Sequence, residues 1–147
     1  MLLDAFNNEI RTPTCIQNGG SETLKSFKIA SLTEIEPKYV EFFKGLSYSF
    51  AFKEYLFVHA GFHDFDINPF ADKYSMIWVC RPAYENPLLM KKTIIHGHRP
   101  IPIAVCKDII QSNRHVINLD TGCVYSNIMG YGTLTAFELN TRTLYFA

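Results

Sequence analysis

A chain of 147 residues suffices for one domain or part of a larger one, and with 48% of its residues apolar it is not a disordered chain. Fourteen lysines and arginines balance fourteen aspartates and glutamates, which removes the electrostatic case for nucleic acid or an anionic membrane as partner. The apolar runs fall far short of the ~20 residues that span a bilayer. No basic leader precedes the first apolar residues, and Cys15, Cys80, Cys106 and Cys123 are too dispersed for a C-x-x-C motif, so the cysteines read as reduced and mostly buried in a cytoplasmic protein.

In chain order, Met1 to Glu9 has the apolar spacing of a helix with no N-cap before it, which hints at missing upstream residues. Arg11 to Gly20, with Pro13 and Gly19-Gly20, reads as a loop. Ser21 is a candidate cap for a helix through Phe27, and Pro37 suits the first turn of a helix to Lys44, with Gly45 as its C-cap. Ser47 to Phe52 and Tyr55 to Ala60 are strands joined at Lys53-Glu54, a hairpin. Phe62 to Lys73 is a polar loop, Tyr74 to Cys80 a short helix, and Arg81 to Lys92 another loop. Thr93 to His96, Ile101 to Ile110, His115 to Leu119, Thr133 to Leu139 and Thr143 to Phe146 read as strands. The expectation is helices first, then a mostly antiparallel set of strands: an α/β or α+β sandwich.

The chemistry gathers at two strand ends. Tyr55-Leu56-Phe57-Val58 runs into His59-Ala60-Gly61, and Thr93-Ile94-Ile95 runs into His96-Gly97-His98. Side chains at such tips reach the sites of α/β sheets, so two strands ending in histidine suggest one metal site. Taken alone, His96-Gly97-His98 is a weak signal, since histidine pairs are more often core or surface residues. The H-x-H-x-D-H pattern of another metallo-hydrolase class fails at Pro100, Ile101 and Pro102. His63, in a loop with Asp64, Asp66 and Asp72, reads as solvated, and the loop lacks the Gly and Glu of an EF-hand. His115 reads as a surface residue.

Five segments in order carry a resemblance. They are Val58-His59-Ala60-Gly61; Trp78 with Arg81; Ile95-His96-Gly97-His98-Arg99-Pro100; Asn118-Leu119-Asp120-Thr121-Gly122-Cys123-Val124-Tyr125; and Leu134-Thr135-Ala136-Phe137. The set resembles the C-terminal half of a calcineurin-like metallophosphoesterase, in particular the bacterial serine/threonine protein phosphatases of the PPP type. The resemblance implies the C-terminal part of a four-layer αββα sandwich whose N-terminal strands and helices are missing. Met1-Leu2-Leu3-Asp4-Ala5-Phe6 resembles the helix that follows G-N-H-E in that family. The motifs G-D-x-H-G, G-D-x-x-D-R-G and G-N-H-E occur nowhere in the sequence.

That family implies two divalent ions, manganese first, with iron or zinc as alternatives, set about 3.5–4 Å apart to clamp a phosphate and activate water. By resemblance, His59 and His98 are ligands of the second ion, and Arg81 is the remaining phosphate-clamping arginine, although the spacing here is W-x-x-R rather than W-x-R. Arg99 stands in place of the family's usual threonine and faces substrate or solvent; His96 packs or hydrogen-bonds. Asp120-Thr121-Gly122 is structural, and Ser126 to Gly132 forms a variable loop. The remaining ligands would come from the missing motifs, leaving at most one weak metal site. The implied activity is hydrolysis of phosphate monoesters on a phosphorylated protein or small phosphoester. The rivals are a symmetrical dinucleoside tetraphosphatase and a non-catalytic truncated chain. The oligomeric state stays open.

Overall fold

The computed structural model describes residues Met1–Ala147 and divides into two compact units, Met1–Ser47 and Tyr48–Ala147. The first is helical. Helices α1 (Leu2–Asn7), α2 (Thr12–Cys15), α3 (Ser21–Phe27) and α4 (Pro37–Lys44) enclose a small core of Ala5, Cys15, Leu32, Ile35 and Val40. The stretch Arg11 to Gly20, expected to be a loop, is helical: Pro13 occupies the first turn of α2, where its missing N–H costs nothing. Chain direction changes at Gly19, whose φ of 94° a side chain would resist. Ser21 makes no capping hydrogen bond, because α3 starts directly from that break. Gly45 does close α4, its N–H reaching the carbonyls of Glu41 and Phe42.

The second unit is mixed α/β. Strands β1 (Ser49–Phe52), β2 (Tyr55–Val58), β3 (Thr93–His96) and β4 (Val116–Asn118) form one sheet in that order. The β1–β2 hairpin turns at Lys53, in the left-handed region at φ 52°. The pairs β2–β3 and β3–β4 are parallel, so the main sheet is mixed rather than mostly antiparallel. Strands β5 (Thr135–Glu138) and β6 (Thr143–Phe146) make a separate antiparallel hairpin.

Ile101 to Ile110 is not a strand. Residues Ile103–Gln111 are helix α7, with Pro102 as N-cap. The β-branched residues there favour a strand, but Cys106, Ile109 and Ile110 recur at helical spacing, and burial of that face decides the outcome. A parallel β3–β4 pair also needs a crossover between its strands, and α7 provides it. Within the loop after Arg81, Pro87–Met90 forms a short helix, α6, capped by the Asn86 side chain on the Leu88 N–H at 3.0 Å.

Alternation along the strands sorts side chains to two faces. Leu56, Ile94 and Val116 pack with Phe62, Met76, Tyr84 and Leu89 on one side, beneath helices α5 (Lys73–Trp78) and α6. Tyr55, Ile95 and Ile117 pack with Ile109 on the other, joined by Phe137 and Leu139 of the second hairpin. Each fully buried aliphatic side chain of this kind contributes about 1.5–3 kcal/mol. The double-sided burial explains why β2, β3 and β4 read as continuous apolar runs. No helix is long and apolar enough to cross a membrane.

Candidate functional site

Strands β2 and β3 lie side by side and parallel, so both end at the same edge of the sheet, where His59 and His98 stand. His59 Nε2 lies 3.0 Å from His98 Nδ1, with ring centroids 4.7 Å apart and the planes at 60°. The backbone beneath is tied together: the Gly97 N–H donates to the His59 carbonyl at 2.9 Å. His98 adopts φ 74°; a non-glycine residue in that region stores strain of about 1–3 kcal/mol and is found preferentially at functional sites. Trp78 meets His98 edge-on at 5.5 Å between ring centroids.

The supporting residues explain the local sequence. A Cβ on Gly61 would come within 2.4 Å of Tyr84 Oη and of the Val79 carbonyl oxygen, so the chain passes only because that residue is glycine. Tyr84 Oη also accepts the Phe62 N–H at 3.1 Å. A Cβ on Gly97 would sit 3.4 Å from Asp120 Cβ. Asp120 is held in turn: its N–H donates to Asn118 Oδ1 at 2.9 Å, and its Oδ1 accepts the Gly122 N–H at 3.0 Å. Thr121 is buried, its hydroxyl bonded to the Thr133 carbonyl. Asp120 bonds the backbone of its turn, as the sequence suggested, and its charge also acts on His59 and His96.

His59 is exposed on one side, but partial burial, and then the neighbouring His98, push its imidazole below the ordinary range while Asp120 opposes them. One nitrogen of the pair donates and the other accepts, so the hydrogen between them must be displaced, by tautomer exchange or loss, before both can serve as ligands. The spacing fits that use. Two imidazole nitrogens at about 2.0–2.1 Å from one ion lie about 2.8–3.0 Å apart at right angles and about 3.3–3.4 Å apart at the tetrahedral angle, so the pair suits the octahedral angle best.

The other sequence candidates are dispersed. Arg81 stacks on Phe65, its guanidinium carbon 5.4 Å from the ring centroid, and its Nε has no hydrogen-bond partner. It lines a cavity with Arg99, His96 and Asn118 whose walls include neither His59 nor His98. His96 is buried at the end of β3 with Nδ1 3.1 Å from the Gly97 carbonyl oxygen. His63 Nδ1 lies 3.3 Å from Asp66 Oδ1, and His115 is exposed. The loop acids have structural work: Asp64 accepts the Glu85 and Asn86 N–H groups, and Asp72 caps α5 through Tyr74 and Ser75. No group of three or more His, Cys, Asp or Glu side chains stands together as a metal cage. Cys15 and Cys106 are buried, Cys80 half-buried and Cys123 exposed, all as free thiols.

No family model, no curated protein and no solved structure matches this chain.

Proposed function

We propose that this chain carries the histidine side of the metal centre of a phosphoesterase that hydrolyses phosphate monoesters, of the calcineurin-like, serine/threonine protein phosphatase kind. The observation that supports this reading most is the 3.0 Å approach of His59 and His98 from two adjacent parallel strand ends. The order of the five sequence segments supports it independently. The β5–β6 hairpin, packed through Phe137 and Leu139 on one face of the main sheet, is where a second sheet of a four-layer αββα sandwich would begin.

In this reading His59 and His98 hold a divalent ion, with manganese first and iron or zinc as alternatives. When bound, the ion supplies Lewis acidity and an activated water. Trp78 and the Gly97–His59 backbone bond keep the two rings oriented. Arg81 is the guanidinium available for a phosphate, which it suits by its paired N–H donors. Two imidazoles alone bind a divalent ion weakly, so turnover needs carboxylate ligands beyond those gathered here, and the chain alone is inactive.

The test is metal content after manganese loading, on material of verified intact mass, with His59→Ala and His98→Ala as controls. Weak binding of one ion, lost in both variants, is the expected result. Near two ions per chain would overturn the incomplete site. Binding that neither substitution disturbs would overturn the histidine assignment.

A further inference from the structure

The edge of the main sheet at β4 carries a second concavity, separate from the imidazole pair. Strand β4 pairs only with β3, and beside it lies a cavity of about 310 Å³. Three guanidinium-bearing residues line it, Arg81, Arg99 and Arg114, and no aspartate or glutamate does. Arg81 makes no side-chain hydrogen bond or ion pair, its Nε being closed off from solvent without a partner, so its guanidinium is not committed elsewhere in the protein. Arg114 spends one amino group on Asp108 at 3.0 Å, but both side chains are more than half exposed, so that pair is worth little and leaves the rest of the fork free. Arg99 is fixed by its backbone, its carbonyl accepting Asn118 Nδ2 at 2.8 Å.

Of the remaining wall, His96, Asn118 and Cys80 are polar, and an apolar side is made by Val105 and Ile109 from α7 and Val116 from β4. An adjoining depression of about 440 Å³ shares Pro82, Arg114 and Val116 with it and extends the apolar surface toward Leu89. The first volume lies at the small end of the range for ligand pockets, and apolar walls with a few convergent polar groups are the usual composition of such sites.

We infer that this cavity is a binding site for a small organic oxyanion, a carboxylate or phosphate carried on an apolar body. The guanidinium groups of Arg81, Arg99 and Arg114 receive the charged head through charge-assisted hydrogen bonds. The body lies against Val105, Ile109 and Val116. The site needs no metal and no part of the His59–His98 pair; it shares only Arg81 with the phosphoesterase reading, and its test rests on Arg99 and Arg114, so the two fail separately.

The experiment is an NMR titration of the intact chain in the presence of EDTA, using phenyl phosphate, benzoate and, as the uncharged control, benzyl alcohol. Expected are saturable shifts of the Val105, Ile109 and Val116 methyls with at least one anion at millimolar concentration or below, and none with the alcohol. The tighter anion identifies the head group. Arg99→Gln and Arg114→Gln should each weaken that binding about tenfold or more, the loss of a charge-assisted bond, while His98→Ala leaves it unchanged. Arg99→Lys, which keeps the charge but not the fork, should fall between and serves if Arg99→Gln does not fold. Absence of saturable shifts, equal response to benzyl alcohol, shifts centred on His59 and His98, or affinity untouched in folded arginine variants would each overturn the site.

Discussion

His59 Nε2 and His98 Nδ1 meet at 3.0 Å although 39 positions separate them in the chain. Nothing local brings them together. The parallel register of Tyr55 with Thr93 and Phe57 with Ile95 carries both tips to the same height, and the Gly97–His59 backbone bond locks them there. A ligand for both nitrogens should therefore bind cooperatively with folding. Zinc or manganese should raise the unfolding midpoint of the wild-type chain. Either alanine substitution should weaken that binding about tenfold or more, equal to the loss of ~1.4 kcal/mol or more. Calorimetric titration checks it, and equal affinity in His98→Ala would contradict it.

The proposed catalytic role predicts silence in isolation and rescue by complementation. The chain alone with manganese should leave p-nitrophenyl phosphate intact. Co-expression with a polypeptide bearing G-D-x-H-G, G-D-x-x-D-R-G and G-N-H-E should restore turnover that His98→Ala abolishes. Robust hydrolysis by the lone chain, lost in His98→Ala, would sink the claim of an incomplete site.

Gly61→Ala should be among the most damaging single-methyl additions. The new carbon would meet both Tyr84 Oη and a backbone carbonyl at 2.4 Å, and the carbonyl has little room to retreat. Overpacking of this kind costs about 1–3 kcal/mol. Urea denaturation measures it; an unchanged midpoint would mean that the Val79 and Tyr84 contacts give way freely.

Stability should decline on mild acidification. Burial pushes the His96 imidazole below its ordinary 6.5, with the charges of His59 and His98 acting the same way; the Gly97 carbonyl and Asp120 oppose them. His59 is shifted in the same direction. A histidine whose folded pKa lies below its unfolded value takes up its proton sooner when unfolded. Its contribution is therefore complete above about pH 6.5 and is lost as the pH falls through the folded pKa. The urea midpoint should drop between about pH 7.5 and about pH 5.5, and drop less in His96→Gln. Identical drops would assign the effect to other groups.

Of the four thiols, Cys123 alone is exposed, whereas Cys15 and Cys106 are buried; burial also raises the Cys80 and Cys106 thiols and disfavours their reactive thiolates. A thiol reagent should modify one site per native chain quickly and all four after denaturation. Two fast sites would place Cys80 in freer solvent than its contact with the Gly97 carbonyl allows.

Much of this architecture was legible in the residues. The apolar runs ending at His59 and His96, the Pro37 helix and the Lys53 turn all obey local rules, and the structure keeps them. Helix α7 defeated local reading because Ile103, Val105, Ile109 and Ile110 favour a strand individually, while the crossover requirement that makes them a helix is a property of the whole sheet. The short helices around Pro13 and Pro87 were hidden for a different reason: proline punctuates loops and opens helices alike. At the site, the sequence offered the two histidines but not the edge-on contact of Trp78 with His98 or the reach of Asp120's charge. Those depend on where α5 and the turn after β4 come to rest.

That indole contact has a practical side. Trp78 is the chain's single tryptophan, and it stands edge-on to one of the paired imidazoles, 5.5 Å away between ring centroids. Excited at the red edge of its absorption, where the eight tyrosines do not absorb, the molecule emits from one fluorophore set against the very ring that a bound ion would alter. Events at that ring should be visible as a change in intrinsic fluorescence, without a label, and silent in His98→Ala. The molecule carries its own optical gauge.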